Sequence, residues 1–248
     1  MLCTGADESL RKEFSLKSVN EFHYLNQSGC VIADGIDDQR EWKDMMEAFD
    51  ALHFSPEEKK QILSIVAGIL HLGNVVFQKA GKNGESSAVS NKSELQIASK
   101  LLGLDTARLE KELTVRLFQS QNRRSFYEVP LDVNAASAAR DSLAKHIYGK
   151  LFNWLVEKIN NFLSKGIVGQ TRMIGVLDIF GFEIFESNSF EQLCINFANE
   201  KLQQHFNQHT FKLEEEVYKS EGIHFDHVEF IDNQIGLEKV YSIFWKSF

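Results

Sequence analysis

Proline is nearly missing: Pro56 and Pro130 are the only two in 248 residues. Because proline removes a backbone donor and clashes with the preceding turn, its scarcity leaves room for long uninterrupted helices. Cys3, Cys30 and Cys194 are odd in number, widely spaced and form no C-x-x-C pair. That excludes a zinc or disulfide framework and fits a reduced intracellular protein, with each cysteine expected as a small buried apolar residue. Positive charge is also short, 27 Lys and Arg against 35 Asp and Glu for a net −8. No bulk field gathers phosphate backbones, so nucleic acid is excluded as the main partner. Eighteen apolar residues never run together, and the N-terminus has neither the basic nor the apolar stretch of a leader. The expectation is a soluble, unsecreted, cytoplasmic chain without a transmembrane segment. Finally, G-x-x-x-x-G-K-[ST] does not occur, so the loop that cradles phosphates and its lysine are absent.

What remains is ordinary globular material, 43% hydrophobic and 25% charged, with an excess of 20 Phe over 5 Tyr. The length suits one large domain or two modest ones, and no repeat or Pro/Gly/Ser linker divides it. Trp42, Met45, Met46, Phe49 and Leu52 share one helical face. Ser55-Pro56-Glu57-Glu58 reads as a capping box with Pro at the first helical position, and Gly73 is the stop. Residues 79–93 are small, polar and glycine-bearing, which predicts a surface loop after a short β-favouring stretch at 74–77. Helices are expected from Ser93 to about Leu102 and from Asp105, followed by two short strands in 115–131 around a basic tip at 119–125. Leu143, Ile147, Leu151, Leu155, Ile159 and Phe162 mark a helix of about thirty residues.

The chemistry concentrates after Gly169. Met173-Ile174-Gly175-Val176-Leu177 is a continuous apolar run of the kind found in a strand buried on both faces, and it ends on Asp178. A strand end holds a carboxylate rigidly, and hydrated Mg²⁺ needs only one or two such groups. Gly181 lets a backbone N–H approach a phosphate closely, and Glu183 can anchor a cation or orient a water. The same pattern also describes an Asp that merely ends a strand and caps a turn. A kinase reading fails, since D-F-G requires adjacency and the string is Asp178-Ile179-Phe180-Gly181. Asn188 with Glu191 and Ser189 with Gln192 form overlapping capping boxes for a second very long helix, to about Ser220 with a stop at Gly222.

The string LDIFGFEIFESNSFEQLCINFANEKLQQHFNQHTFKLEEEVYKSEGI, residues 177–223, closely resembles the switch II and relay-helix signature of the myosin motor domain. FHYLNQSGC (22–30), ILHLGNVVF (69–77) and RDSLAKHIYGKLFNWLVEKIN (140–160) resemble successive parts of the same motor, and the resemblance extends to class I-like unconventional myosins. The resemblance covers about residues 1–234. It implies a mostly α fold with a few β-strands, a fragment of the α/β P-loop NTPase motor fold. Its divisions are upper-subdomain material at 1–171, a buried strand and switch II at 172–183, the relay helix and loop at 184–234, and a non-matching tail at 235–248. It further implies ATP and Mg²⁺ as cofactors of the intact motor. Asp178 touches the Mg²⁺ through water and binds nucleotide, the Gly181 N–H meets the γ-phosphate, and Glu183 pairs with a switch I arginine to position the attacking water. Catalytic roles therefore fall to Glu183 and Gly181.

Actin filaments and the remainder of the motor are the implied partners, with localisation to the actin cytoskeleton. Residues 115–131 and 79–93 resemble actin-facing surface loops, so Arg123, Arg124, Ser125, Lys79 and Lys82 are candidate contacts. Ser125, sixteen residues before Asp141, stands where myosins carry an acidic or phosphorylatable residue, and Arg123-Arg124-Ser125 reads as a basophilic kinase site. The phosphate loop, switch I, converter and neck are not in the sequence, and the tail after Gln234 departs from the family, so a truncated or mis-spliced product is expected. An isolated chain of this kind is expected to be inactive as an ATPase. A non-catalytic actin-touching module and a non-functional truncated product are the alternatives.

Overall fold

The computed structural model describes residues 1–81, 84–119, 126–165, 172, 174–224 and 233–246. The chain divides into two compact units, Met1–Val168 and Gly169–Phe248.

In the first unit, short helices α1 (Leu2–Gly5), α2 (Glu8–Glu13) and α3 (His23–Asn26) precede α4 (Asp38–Ala51) and α5 (Pro56–Gly73). The start of α5 is the expected capping box: Ser55 Oγ accepts from Glu58 N at 3.2 Å, and Glu58 Oε2 accepts from Ser55 N at 2.9 Å. Two orphan helix donors are satisfied reciprocally, and Pro56 costs nothing where no donor is needed. Helices α6 (Lys92–Leu102) and α7 (Thr106–Thr114) follow. Gly103 at φ 68° ends α6, and Asp105 caps α7 by accepting from Arg108 N at 2.8 Å. The long helix α8 (Val133–Leu163) runs 31 residues, capped by Asp132, so proline scarcity is used as the sequence implies.

The apolar faces close around α5. Leu72, Val75, Leu95, Ala98 and Ala136 are fully buried in one cluster, and Phe49, Phe54, Ile62 and Leu151 form a second. Gly73 is required by packing: a Cβ there would lie 2.6 Å from the ring of Tyr24. The Tyr24 hydroxyl donates to Asp141 Oδ1 at 2.6 Å, and Arg140 binds the same oxygen and the Val75 carbonyl, each at 2.8 Å. Burial, then the Asp141 carboxylate, pushes the Tyr24 phenol well above its usual range.

Two small antiparallel hairpins complete the unit. The strands β3 (Val115–Gln119) and β4 (Phe126–Pro130) pair as expected from the alternation. The loop reading of residues 79–93 is corrected: β1 (Phe77–Ala80) pairs with β2 (Ser86–Val89). Composition concealed this hairpin because only its ends are apolar. Phe77 and Val89 face each other in the core, and Ser87 Oγ donates to the Leu131 carbonyl at 2.8 Å.

A polar cluster lies inside this core. His71 is fully buried; its Nδ1 lies 2.9 Å from Glu94 Oε2, and its Nε2–H donates to the Phe14 carbonyl at 3.0 Å. Lys17 bonds the other Glu94 oxygen. Burial opposes the charged carboxylate, but the bonds from His71 and Lys17 outweigh it and hold Glu94 below the ordinary carboxylate range.

In the second unit, α9 (Phe190–Asn207) passes through a π-helical turn at Gln208–Lys212 into α10 (Leu213–Glu221), and α11 (Gln234–Lys246) follows. Gly222, at φ 69°, closes the rod where the sequence predicts. The buried strand does not form. Residues 174–182 carry no β-ladder, and Ile174 and Val176 are 96% and 94% exposed. An apolar run becomes a buried strand only if neighbours pair its backbone and cover both faces, and no strand among the described residues does so. Cysteine burial is also corrected: Cys3 is buried, whereas Cys30 lies in the irregular segment after α3 and Cys194 on an open face of α9.

The Glu94 cluster predicts the pH dependence of the first unit. A carboxyl whose folded pKa is depressed contributes stability above its unfolded value, near 4.5, and loses that contribution as pH falls through the folded value. In urea unfolding, Glu94→Gln is expected to cost about 2 kcal/mol at pH 7, the scale of hydrogen bonds to a charged group. The gap to wild type should close toward pH 3; a constant gap would contradict the assignment.

Candidate functional site

Asp178, Gly181 and Glu183 lie on one extended segment leading into α9, so their Cα atoms are at most about 18 Å apart. Asp178 and Gly181 are exposed, and Glu183 is half-buried. Among the described residues, 174–182 make no backbone hydrogen bond. The peptide groups around Asp178 and Gly181 are therefore open to solvent or to a ligand. A Cβ placed on Gly181 would meet nothing within 4 Å. Among the described residues no neighbour crowds that position, so the Gly181 backbone is sterically accessible.

Pairing begins at Glu183, whose N–H donates to Asn196 Oδ1 and whose carbonyl accepts from Asn196 Nδ2, both at 2.8 Å. Asn188 treats Phe185 in the same way, at 3.0 and 2.8 Å. Asn188 is therefore spent on the preceding turn. Ser189 alone caps α9, accepting from Glu191 N at 3.2 Å while Gln192 Oε1 accepts from Ser189 N at 2.8 Å. Upstream, Leu177 and Ile179 line an open groove with Leu202, Phe206, His209 and Thr210, at the junction of α9 and the π-turn. One segment thus presents Asp178 and Gly181, shares an open groove with the π-turn region, and is fastened to α9 at Glu183.

The π-turn interrupts the rod once, between Phe190 and Glu221. That span is about 48 Å at the helical rise, and single π-turns inside α-helices occur frequently at functional sites. Two pairs join the last turn of α9 to it, His205 with His209 and Phe206 with Phe211, at ring separations of 6.3 and 6.4 Å.

Of the surface candidates, Lys79 is exposed on β1, opposite Ser87. Lys82, Arg123, Arg124 and Ser125 lie outside the described residues, in the connections of the two hairpins. No group of three or more metal-binding side chains occurs among the described residues. One carboxylate on an open extended segment suits a hydrated Mg²⁺ whose remaining ligands are water and phosphate, and does not suit a cage. Sequence reasoning missed Asn196. Its only signal is an asparagine in a helix interior, where that residue is disfavoured unless its amide is used elsewhere.

Comparison with known proteins identifies the family. The family model "Myosin head (motor domain)" matches residues 1–242. The chain is 46% identical over 224 residues to the high molecular weight form of myosin-1 of Acanthamoeba castellanii, covering 88% of this chain and 14% of that protein. It is 46% identical over 243 residues to the myosin-I heavy chain of Dictyostelium discoideum, covering 96% and 10%. It is 45% identical over 243 residues to myosin-17 of Arabidopsis thaliana, covering 97% and 16%. The chain belongs to the myosin head (motor domain) family. A class I-like reading is consistent with the first two relatives. The chain spans between about a tenth and a sixth of the length of these relatives. The family match continues to residue 242, beyond the 234 boundary drawn from the motifs, and Gln234–Lys246 is helical, with Leu237 buried. No helix among the described residues is long and apolar enough to cross a membrane.

With Asn188 committed to Phe185, the cap on α9 rests on Ser189. Ser189→Ala is expected to cost about 1 kcal/mol of helix stability, read as faster amide exchange at Glu191 and Gln192, whereas Asn188→Ala leaves those two amides unchanged. Equal effects from the two variants would contradict the assignment.

Proposed function

We propose that this chain is a piece of an actin-based, ATP-driven cytoskeletal motor, carrying the nucleotide-sensing loop and relay of the head without its phosphate loop or switch I. The observation that carries the proposal is the extended Asp178–Glu183 string tied by Asn196 to a helical rod with a single π-turn. Asp178 would face hydrated Mg²⁺, the Gly181 N–H would be available to the terminal phosphate, and Glu183 would position the attacking water together with a switch I arginine from the rest of the motor. When bound, Mg²⁺ neutralises the charge developing on the phosphates. The rod turns a small displacement at Glu183 into movement beyond Glu221, with the π-turn as the place where it bends.

Most of the charge stabilisation for phosphoryl transfer comes from groups this sequence lacks. The purified chain is therefore expected to hydrolyse Mg·ATP at no more than background rate, with or without actin filaments. Actin-stimulated turnover at an ordinary motor rate would overturn the reading.

Exposed Lys79 on one hairpin, with Lys82, Arg123 and Arg124 in the hairpin connections, supports a second reading: a non-catalytic surface that touches acidic actin. Such binding should appear in co-sedimentation at low salt and fade as salt screens it. Phosphate on Ser125 would add about 1.5 to 2 negative charges beside the two arginines. Ser125→Glu is expected to weaken that low-salt binding severalfold, and an unchanged isotherm would remove Ser125 as a regulatory site.

A further inference from the structure

One residue of α9 that no motif singles out reaches back to the segment leading into the helix. We propose that Asn196 is the positioning residue that makes Glu183 and α9 move as one body. This role rests on the reading of 178–183 as the nucleotide-sensing loop only for what is transmitted, not for the clasp itself. The geometry is specific. Asn196 lies in the second turn of α9, half-buried, and its amide meets both backbone groups of a residue thirteen positions earlier at 2.8 Å. A carboxamide offers one acceptor and one donor on a short planar group, the same pair that a neighbouring strand would offer. Aspartate of the same size has no donor, glutamine is one methylene longer, and leucine has neither group. Asn199, one turn further along, shows the alternative use of the same side chain: its Nδ2 donates to its own helix at the Ile195 carbonyl, 3.0 Å away.

The clasp has a mechanical consequence. Without it, the covalent route from Glu183 to α9 runs through residues 184–189, and each of those carries two soft dihedrals that absorb a displacement. With it, the Glu183 peptide groups are attached directly to the second helical turn, bypassing that loop. Asn188 cannot do this, because its bonds to Phe185 span only three residues and close a local turn.

The test is backbone ¹⁵N relaxation and amide exchange on the complete 248-residue chain, without nucleotide. In wild type the Glu183 amide should share the order parameter of α9, near 0.85. In Asn196→Ala and Asn196→Leu it should fall below about 0.6 and exchange at least about fivefold faster, the scale of one net hydrogen bond. Amides of Leu193–Gln203 should stay at their wild-type values. Both replacements are strong helix formers, so α9 is not put at risk. Asn188→Ala should free Phe185 and leave Glu183 unchanged. The proposal is overturned if Glu183 is unaffected by both Asn196 variants, if all of α9 loosens with it, or if Asn188→Ala frees Glu183 equally. Because no nucleotide is present, loss of the clasp would leave the nucleotide reading standing, and turnover by the purified chain would overturn that reading while leaving the clasp intact.

Discussion

Every backbone N–H and C=O taken from water must find a partner, and where those partners come from decides what each part of this chain becomes. In the first unit they are local: helices that cap themselves with Ser55, Asp105 and Asp132, and two hairpins that pair within a few residues. That unit can bury α5 on its own resources. Residues 174–182 are in the opposite position, apolar enough for a core but without a described strand to pair with, so they stay extended and exposed. The boundary between the two regimes falls at Glu183, where the side chain of Asn196 replaces the missing neighbour.

The same constraint acts on side chains inside the first unit. A buried imidazole, a nearly buried carboxylate and a lysine would each be costly alone, yet His71, Glu94 and Lys17 satisfy one another and the Phe14 carbonyl. They tie the N-terminal segment to α5 and α6, three pieces that hydrophobic contact alone would orient less specifically. Arg140, Asp141 and Tyr24 do the same between α3, α5 and α8.

Helix positions were the most legible part of the sequence, because capping and periodicity act within one or two turns. Ser55 with Glu58, Ser189 with Gln192, Gly103 and Gly222 all mark ends that the structure keeps. The β1–β2 hairpin was hidden because a serine-rich, glycine-bearing stretch satisfies loop and strand criteria equally until Phe77 and Val89 are seen to face each other. The strand at 174–179 failed for a different reason: its burial depends on neighbours that local pattern cannot supply. For the site, the residue types at Asp178, Gly181 and Glu183 suggest half of a nucleotide wall, and the structure places the three on one extended segment. Asn196 was not legible, since nothing in a one-dimensional pattern says which helical asparagine reaches outward and which, like Asn199, folds back.

The first unit of this chain holds a buried core, whereas the backbone of residues 174–182 finds no partner among the described residues. Hydrogen exchange followed by mass spectrometry on the purified chain tests it most directly, by comparing peptides from 174–182 with peptides from α5. The account predicts exchange over 174–182 within a few fold of an unstructured peptide, while the interior of α5 is protected by several orders of magnitude. Protection of 174–182 equal to that of α5 would mean that the strand is paired in this chain, and would contradict the account.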